Sequence, residues 1–139
     1  MLALHRRLVD RLDAFPQAWL CLLMRIAIVP VFWRAGWSKA SNMEQAVALF
    51  RDEYHVPLLP PELAAYLGTA VELGAPALIL FGLFTRLATL PLIGLVAVIQ
   101  LFVYPVSYPD HVLWFAILAF ILLRGPGSIS IDRLLLGRG

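Results

Sequence analysis

The chain has 139 residues, 61% of them hydrophobic and 14% charged, with a net charge of +2. An average soluble domain is roughly 45–50% apolar and about 25% charged. A chain of this length makes one domain, so residues 1–139 are expected to form a single unit too apolar to hide from water, with lipid as its solvent. The charge is too small, and too little interleaved with aromatics, for nucleic acid. The single cysteine, Cys21, excludes an internal disulfide and is expected as a small buried or lipid-facing residue.

Residues 2–14 place Leu4, Leu8, Leu12 and Phe15 on one side of a helix, with arginines and aspartates elsewhere, as an interfacial amphipathic helix would. The apolar run that follows is too long, and lacks the small-residue cleavage site, for a signal peptide. The first span is expected over about 17–38, with Arg25, Pro30 and Arg34 inside it and Trp19, Trp33 and Trp37 as interfacial anchors. Pro30 should kink it.

Ser41-Asn42-Met43-Glu44 has the spacing of a capping box with Ser41 as N-cap, so a short extramembrane helix is expected over about 42–54. The stretch Val56–Pro61 should be extended, because each proline disfavours helix in the residue before it. A second span follows over about 61–84, carrying Glu72, and Arg86 sits in a short turn. The third covers about 87–104, with Gln100 its strongest polar side chain, and Pro105 to Asp110 form a turn. The fourth has only 12 clearly apolar residues, Val112 to Leu123, fewer than the roughly 17–25 needed to cross. It is extended to about 106–124. Gly125-Pro126-Gly127 then ends the helix, and Ser128 or Ser130 can cap a last interfacial helix through Leu136.

The basic residues set the orientation. With both ends inside, Arg6, Arg7, Arg11, Arg86, Arg124, Arg133 and Arg138 are cytoplasmic, Lys39 and Arg51 lie outside, and Arg25 and Arg34 lie within the first span. This obeys the positive-inside rule only for an even number of spans. The expected fold is therefore an all-α integral membrane four-helix bundle, N-in and C-in.

Ionisable groups inside a span are costly and are usually paired or functional. Arg25 is eight residues from Gln17, about 12 Å from the inner edge. Glu72 is twelve residues before Phe84, about 18 Å from the same edge. The two are expected to meet near mid-depth, either as a structural ion pair or as part of a ligand, quinone or proton-handling site. Arg25, Val29, Phe32, Gly36 and Lys39 share one helix face. Ala64, Gly68 and Glu72 recur every four residues, and small residues there permit close approach. Lys39 is thus a third candidate. His111, at the outer end of the fourth span, is either a solvated interfacial histidine or a metal or proton-relay residue. It shares no metal-ligand spacing with His5 or His55, so no metal site is expected. Tyr66, Gln100, Tyr104 and Trp114 are interfacial anchors, helix-to-helix hydrogen bonders or site residues. Soluble catalytic motifs such as a phosphate loop, GxSxG or HExxH are absent.

Leu23-Met24-Arg25-Ile26-Ala27, Ala35-Gly36-Trp37-Ser38-Lys39, Val71-Glu72-Leu73-Gly74-Ala75-Pro76, Phe81-Gly82-Leu83-Phe84-Thr85-Arg86-Leu87-Ala88 and Gly125-Pro126-Gly127-Ser128-Ile129-Ser130-Ile131-Asp132 occur in that order. Over roughly residues 17–136 the chain resembles the DoxX family of small bacterial membrane proteins. The resemblance implies a four-helix bundle in the bacterial inner membrane and a link to redox biology, as in membrane subunits of thiosulfate:quinone oxidoreductases and in proteins associated with sulfur transfer or oxidative stress. Quinone is then the candidate cofactor, and a redox or sulfur-transfer protein the candidate partner beside the lipid bilayer. A homo-oligomer stays open. The motif positions carried over are Arg25, Gly36, Lys39, Glu72, Arg86 and Asp132. Arg34 departs from the pattern, standing where a small or apolar residue is usual. The competing readings are a non-enzymatic scaffold or interaction subunit, and a small transporter or proton conduit.

Overall fold

In a computed structural model, residues 2–137 are described; Arg138, counted above among the basic residues of the chain ends, lies outside them. The helices are α1 (Leu2–Asp13), α2 (Gln17–Ser41), α3 (Met43–Leu49), α4 (Pro61–Phe81), α5 (Thr85–Val98), α6 (Tyr108–Arg124) and α7 (Ile131–Leu136). α3 continues as a π-helical turn over Phe50–Tyr54, and α5 as another over Ile99–Val103. With its π turn α5 reaches 19 residues, and with the preceding 3-10 turn at Pro105–Ser107 α6 reaches 20, so four helices are long and apolar enough to cross a membrane. The fourth span thus gains its length from the Pro105 turn rather than from apolar residues alone.

α2, α4, α5 and α6 form an antiparallel bundle, α2 packing most extensively on α4. Its core is Ile28, Val29 and Phe32 of α2, Ala75 and Ile79 of α4, Ala88, Leu92 and Val96 of α5, and Leu118 and Ile121 of α6. Gly36 lets α2 pack tightly on α4: a Cβ there would stand 2.9 Å from both the Glu72 Cβ and the Leu73 Cγ. Only 17–44% of each span's most apolar stretch is buried inside the protein. Leu23, Ile26, Leu87, Leu101, Phe102, Leu113 and Leu123 are exposed, which is tolerable only where lipid replaces water.

Three local expectations are corrected. The cap of α3 is Asn42, whose side chain accepts from the Gln45 N–H at 3.1 Å. Ser41 ends α2 and donates to the Ser38 carbonyl instead. The helix therefore starts one residue later than the capping-box spacing implies. Val56–Pro61 is not simply extended, since it turns at Pro57–Leu58 and Leu58 takes φ 72°. Arg86 is in the first turn of α5, not in a loop, because α4 stops early at Gly82 (φ 69°) and α5 begins at Thr85.

That early start is organised by the C-terminal segment. Phe84, at the N-cap of α5, offers no capping side chain. The Asp132 carboxylate accepts from the Phe84 N–H at 2.7 Å and from the Thr85 N–H and Oγ1 at 3.0 Å each. Its own N–H donates to the Gly82 carbonyl at 2.8 Å. A carboxylate on the first free N–H groups of a helix is favoured by hydrogen bonding and by the helix dipole. Ser130 caps α7, its Oγ accepting from the Arg133 N–H. At the same end Gly127 lies against α2, where a Cβ would come within 2.9 Å of the Cys21 Cβ. Cys21 is buried there, as expected.

Candidate functional site

Arg25 and Glu72 do not meet. The Arg25 guanidinium is buried among backbone carbonyls: Nε donates to Ile79 at 2.8 Å, Nη2 to Leu80 at 2.6 Å, and Nη1 to Pro126 at 2.9 Å and Ile129 at 2.6 Å. Ile79 and Leu80 are in the last turn of α4, the negative end of its dipole, where a cation is favoured. Arg25 thus caps α4 and ties the Gly-Pro-Gly segment to it. The reason for the mismatch is register. Gly36 is the residue that faces Glu72, and Gly36 is eleven positions past Arg25, about 16 Å along the helix. α2 begins well below the end of α4, with the C-terminal segment covering the overhang, so counting both helices from a common edge put Arg25 too high.

Glu72 is paired with Lys39, whose Nζ donates to Oε1 at 2.8 Å and Oε2 at 2.7 Å. The Lys39 side chain is 16% exposed and that of Glu72 4%. This pair forms one wall of a cavity of about 280 Å³ in the half of the bundle away from the chain ends. The opposite wall is α6, with His111 and Trp114. Val31, Phe32 and Ala35 of α2 and Leu95 and Val98 of α5 supply apolar surface. Both π turns also line it, through Phe50 and Tyr54 on one side and Ile99 and Val103 on the other. The extra residue of a π turn widens a helix locally, and such turns are frequent at functional sites.

His111 is buried rather than solvated. Its Nδ1 lies 2.7 Å from Gln100 Oε1, and its ring centroid is 5.1 Å from that of Trp114. Gln100 does not line the cavity; it links α5 to α6 and donates from Nε2 to the Pro105 carbonyl at 3.0 Å. Near the mouth, Tyr104 Oη lies 3.3 Å from Tyr54 Oη and 3.4 Å from Glu53 Oε1. Burial, and secondarily the bond with Tyr104, push the Tyr54 phenol above its ordinary range. Arg51 and Glu62 pair on the exposed surface.

The remaining candidates fall elsewhere. Arg86 and Asp132 belong to the end of the bundle where α2 begins and α7 follows α6. A Cβ on Gly125 would approach the Arg86 guanidinium at 3.2 Å. Tyr66 and Arg34 are exposed on the bundle's outside, as are His5 and His55. No group of three or more His, Cys, Asp or Glu placed to hold a metal occurs among the described residues.

Sequence reasoning named Lys39, Glu72, Gln100, His111, Tyr104 and Trp114 but not as one site, and it missed Tyr54, Phe50 and Asp110. One signal was present for the Gln100–His111 contact. The two residues stand five before and six after Pro105, so a helical hairpin folded there brings them across from each other. Nothing comparable marks Tyr54, whose place depends on how the segment after α3 folds back over the bundle.

The architecture defines a multi-pass membrane protein: a small four-helix bundle enclosing an apolar cavity with an ion pair and a histidine on its walls. The DoxX family model matches residues 20–105, more than half the chain and somewhat less than the 17–136 of the resemblance, and the chain belongs to the DoxX family. No curated protein and no solved structure matches it.

Proposed function

We propose that this protein is a small subunit of a redox system in the bacterial inner membrane, which holds the ring of a quinone-type carrier in the cavity for a redox or sulfur-transfer partner protein. The observation that carries this reading is the cavity itself. Ligand sites are mostly apolar concavities of about 300 Å³ upward with a few convergent polar groups. At about 280 Å³ this one matches the ring of a carrier rather than its tail, which would stay in lipid. The Lys39 ammonium has three N–H donors; two engage Glu72, and the third is free to donate to a ring oxygen. The resemblance to membrane subunits of quinone-linked systems points the same way.

The bundle end with the Arg25 and Asp132 networks carries Arg6, Arg7, Arg11, Arg86, Arg124 and Arg133, and by the positive-inside rule it faces the cytoplasm. α1 extends from it with Leu4, Leu8 and Leu12 exposed, as is Phe15 just after it. We assign that apolar side to the inner leaflet and Arg6, Arg7 and Arg11 to its anionic headgroups.

The test is extraction. Protein purified from its native membranes in mild detergent is expected to yield quinone by absorbance and mass spectrometry, and the yield should drop when Ala35→Phe fills the cavity. A preparation free of quinone, with no uptake of a short-tailed benzoquinone added back, overturns the reading.

A further inference from the structure

His111 uses only one of its two ring nitrogens inside the protein. Its Nδ1 meets Gln100 Oε1 at 2.7 Å. The orientation of that amide is set from its other end, where Nε2 donates to the Pro105 carbonyl. Oxygen therefore faces the imidazole, and Nδ1 must carry the proton. In the neutral ring Nε2 is then left with a free lone pair. It makes no hydrogen bond among the described residues. Every fully buried side-chain nitrogen or oxygen there has a partner, so Nε2 is an atom that reaches open space.

The direction follows from ring geometry. The two nitrogens of an imidazole point nearly opposite ways. His111 stands between this cavity, whose wall lacks Gln100, and a smaller pocket that it lines together with Gln100, so with Nδ1 turned to Gln100 the ring presents Nε2 to the larger cavity. The other acceptor deep in the wall, Glu72, has both oxygens engaged by Lys39. Asp110 is exposed and remains hydrated. Among the cavity's carboxylates and imidazole, His111 Nε2 is thus the acceptor that is both buried and unengaged.

We propose that His111 Nε2 accepts a hydrogen bond from a ring hydroxyl of the ligand, so that the site selects a hydroquinone over a ring of the same skeleton without O–H donors. Gln100 is the positioning residue that holds the acceptor tautomer in place. This rests on the quinone-type reading above. An acceptor buried in apolar surroundings discriminates because a ligand without a donor leaves it unpaired.

The experiment uses the full-length protein in lipid nanodiscs and three probes: decyl-1,4-benzoquinone, its hydroquinone, and the dimethyl ether of that hydroquinone, each titrated by calorimetry. The wild type is expected to bind the hydroquinone about tenfold more tightly than the dimethyl ether. His111→Phe should bring the two to within about twofold, with binding of the ether nearly unchanged. A merely structural role for His111 would weaken both ligands together and leave their ratio intact. Gln100→Leu keeps the imidazole but frees it, and the preference should fall at least about threefold. This second variant carries the test if His111→Phe does not fold. A preference that persists in the variants, or is absent from the wild type, overturns the assignment of His111 while leaving the quinone reading standing. Binding of none of the three probes to the wild type overturns both.

Discussion

Two inward-facing cations in α2, one buried and one partly buried, solve the same electrostatic problem differently. Arg25 spreads its charge over four carbonyls from α4 and the C-terminal segment, which suits a planar guanidinium with several fixed donors. Lys39, a compact charge on a flexible stem, pairs with the single carboxylate Glu72. Removing one member of a buried pair strands the other, at a cost of about 3–5 kcal/mol, whereas replacing both with apolar groups is often close to neutral. Lys39→Met is therefore expected to lower thermal stability sharply, and Lys39→Met/Glu72→Leu to recover most of the loss. The chain has one cysteine, Cys21, which is buried, so a thiol-reactive dye reads unfolding directly in detergent. A double variant as unstable as the single would mean that the pair does not bear on stability in this way. The legibility of these residues was uneven. That Arg25, Lys39 and Glu72 face the interior followed from helical periodicity. Which cation meets Glu72 did not, because a shift of α2 along α4 changes the partner without changing the face.

At the scale of elements, α2 and α4 are in tight contact at Gly36, and two π turns line the cavity. A methyl at Gly36 would stand 2.9 Å from side-chain carbons of α4, so Gly36→Ala must push α2 and α4 apart. Overpacking of this kind costs about 1–3 kcal/mol. Gly74, also on α4, has nothing within 4 Å of where a Cβ would stand, and Gly74→Ala is expected to be neutral or slightly stabilising. Thermal unfolding of the two variants side by side checks this, and equal effects would remove Gly36 as the contact that sets the helix spacing. The small-residue pattern of α4 pointed to close packing, but it did not single out Gly36 on α2. The π turns were not legible at all. Phe50–Tyr54 and Ile99–Val103 read as ordinary helix ends, because the phase shift of an extra residue shows only in helix that follows it, and each π turn ends its helix.

For the whole molecule, the start of α2 and the C-terminal segment meet at one end, joined through Arg25 and Gly127, while Asp132 ties the same segment to the start of α5. If that end is cytoplasmic, green fluorescent protein fused after Gly139 is expected to fluoresce and alkaline phosphatase at the same point to be inactive. Phosphatase fused within the segment between α3 and α4 should be active. The reverse pattern would invert the topology drawn from the arginines. Composition and hydropathy alone determined that this is a membrane protein with four helices long and apolar enough to cross a bilayer. Those properties depend on local sequence, since every backbone polar group in hydrocarbon must be satisfied within its own helix. The cavity, the partner of Glu72, the capping of α5 by Asp132 and the Gln100–His111 contact were decided only by tertiary structure. Each depends on the axial register of one helix against another, and a shift of a single helical turn, about 5.4 Å, leaves the apolar pattern intact while exchanging every polar partner.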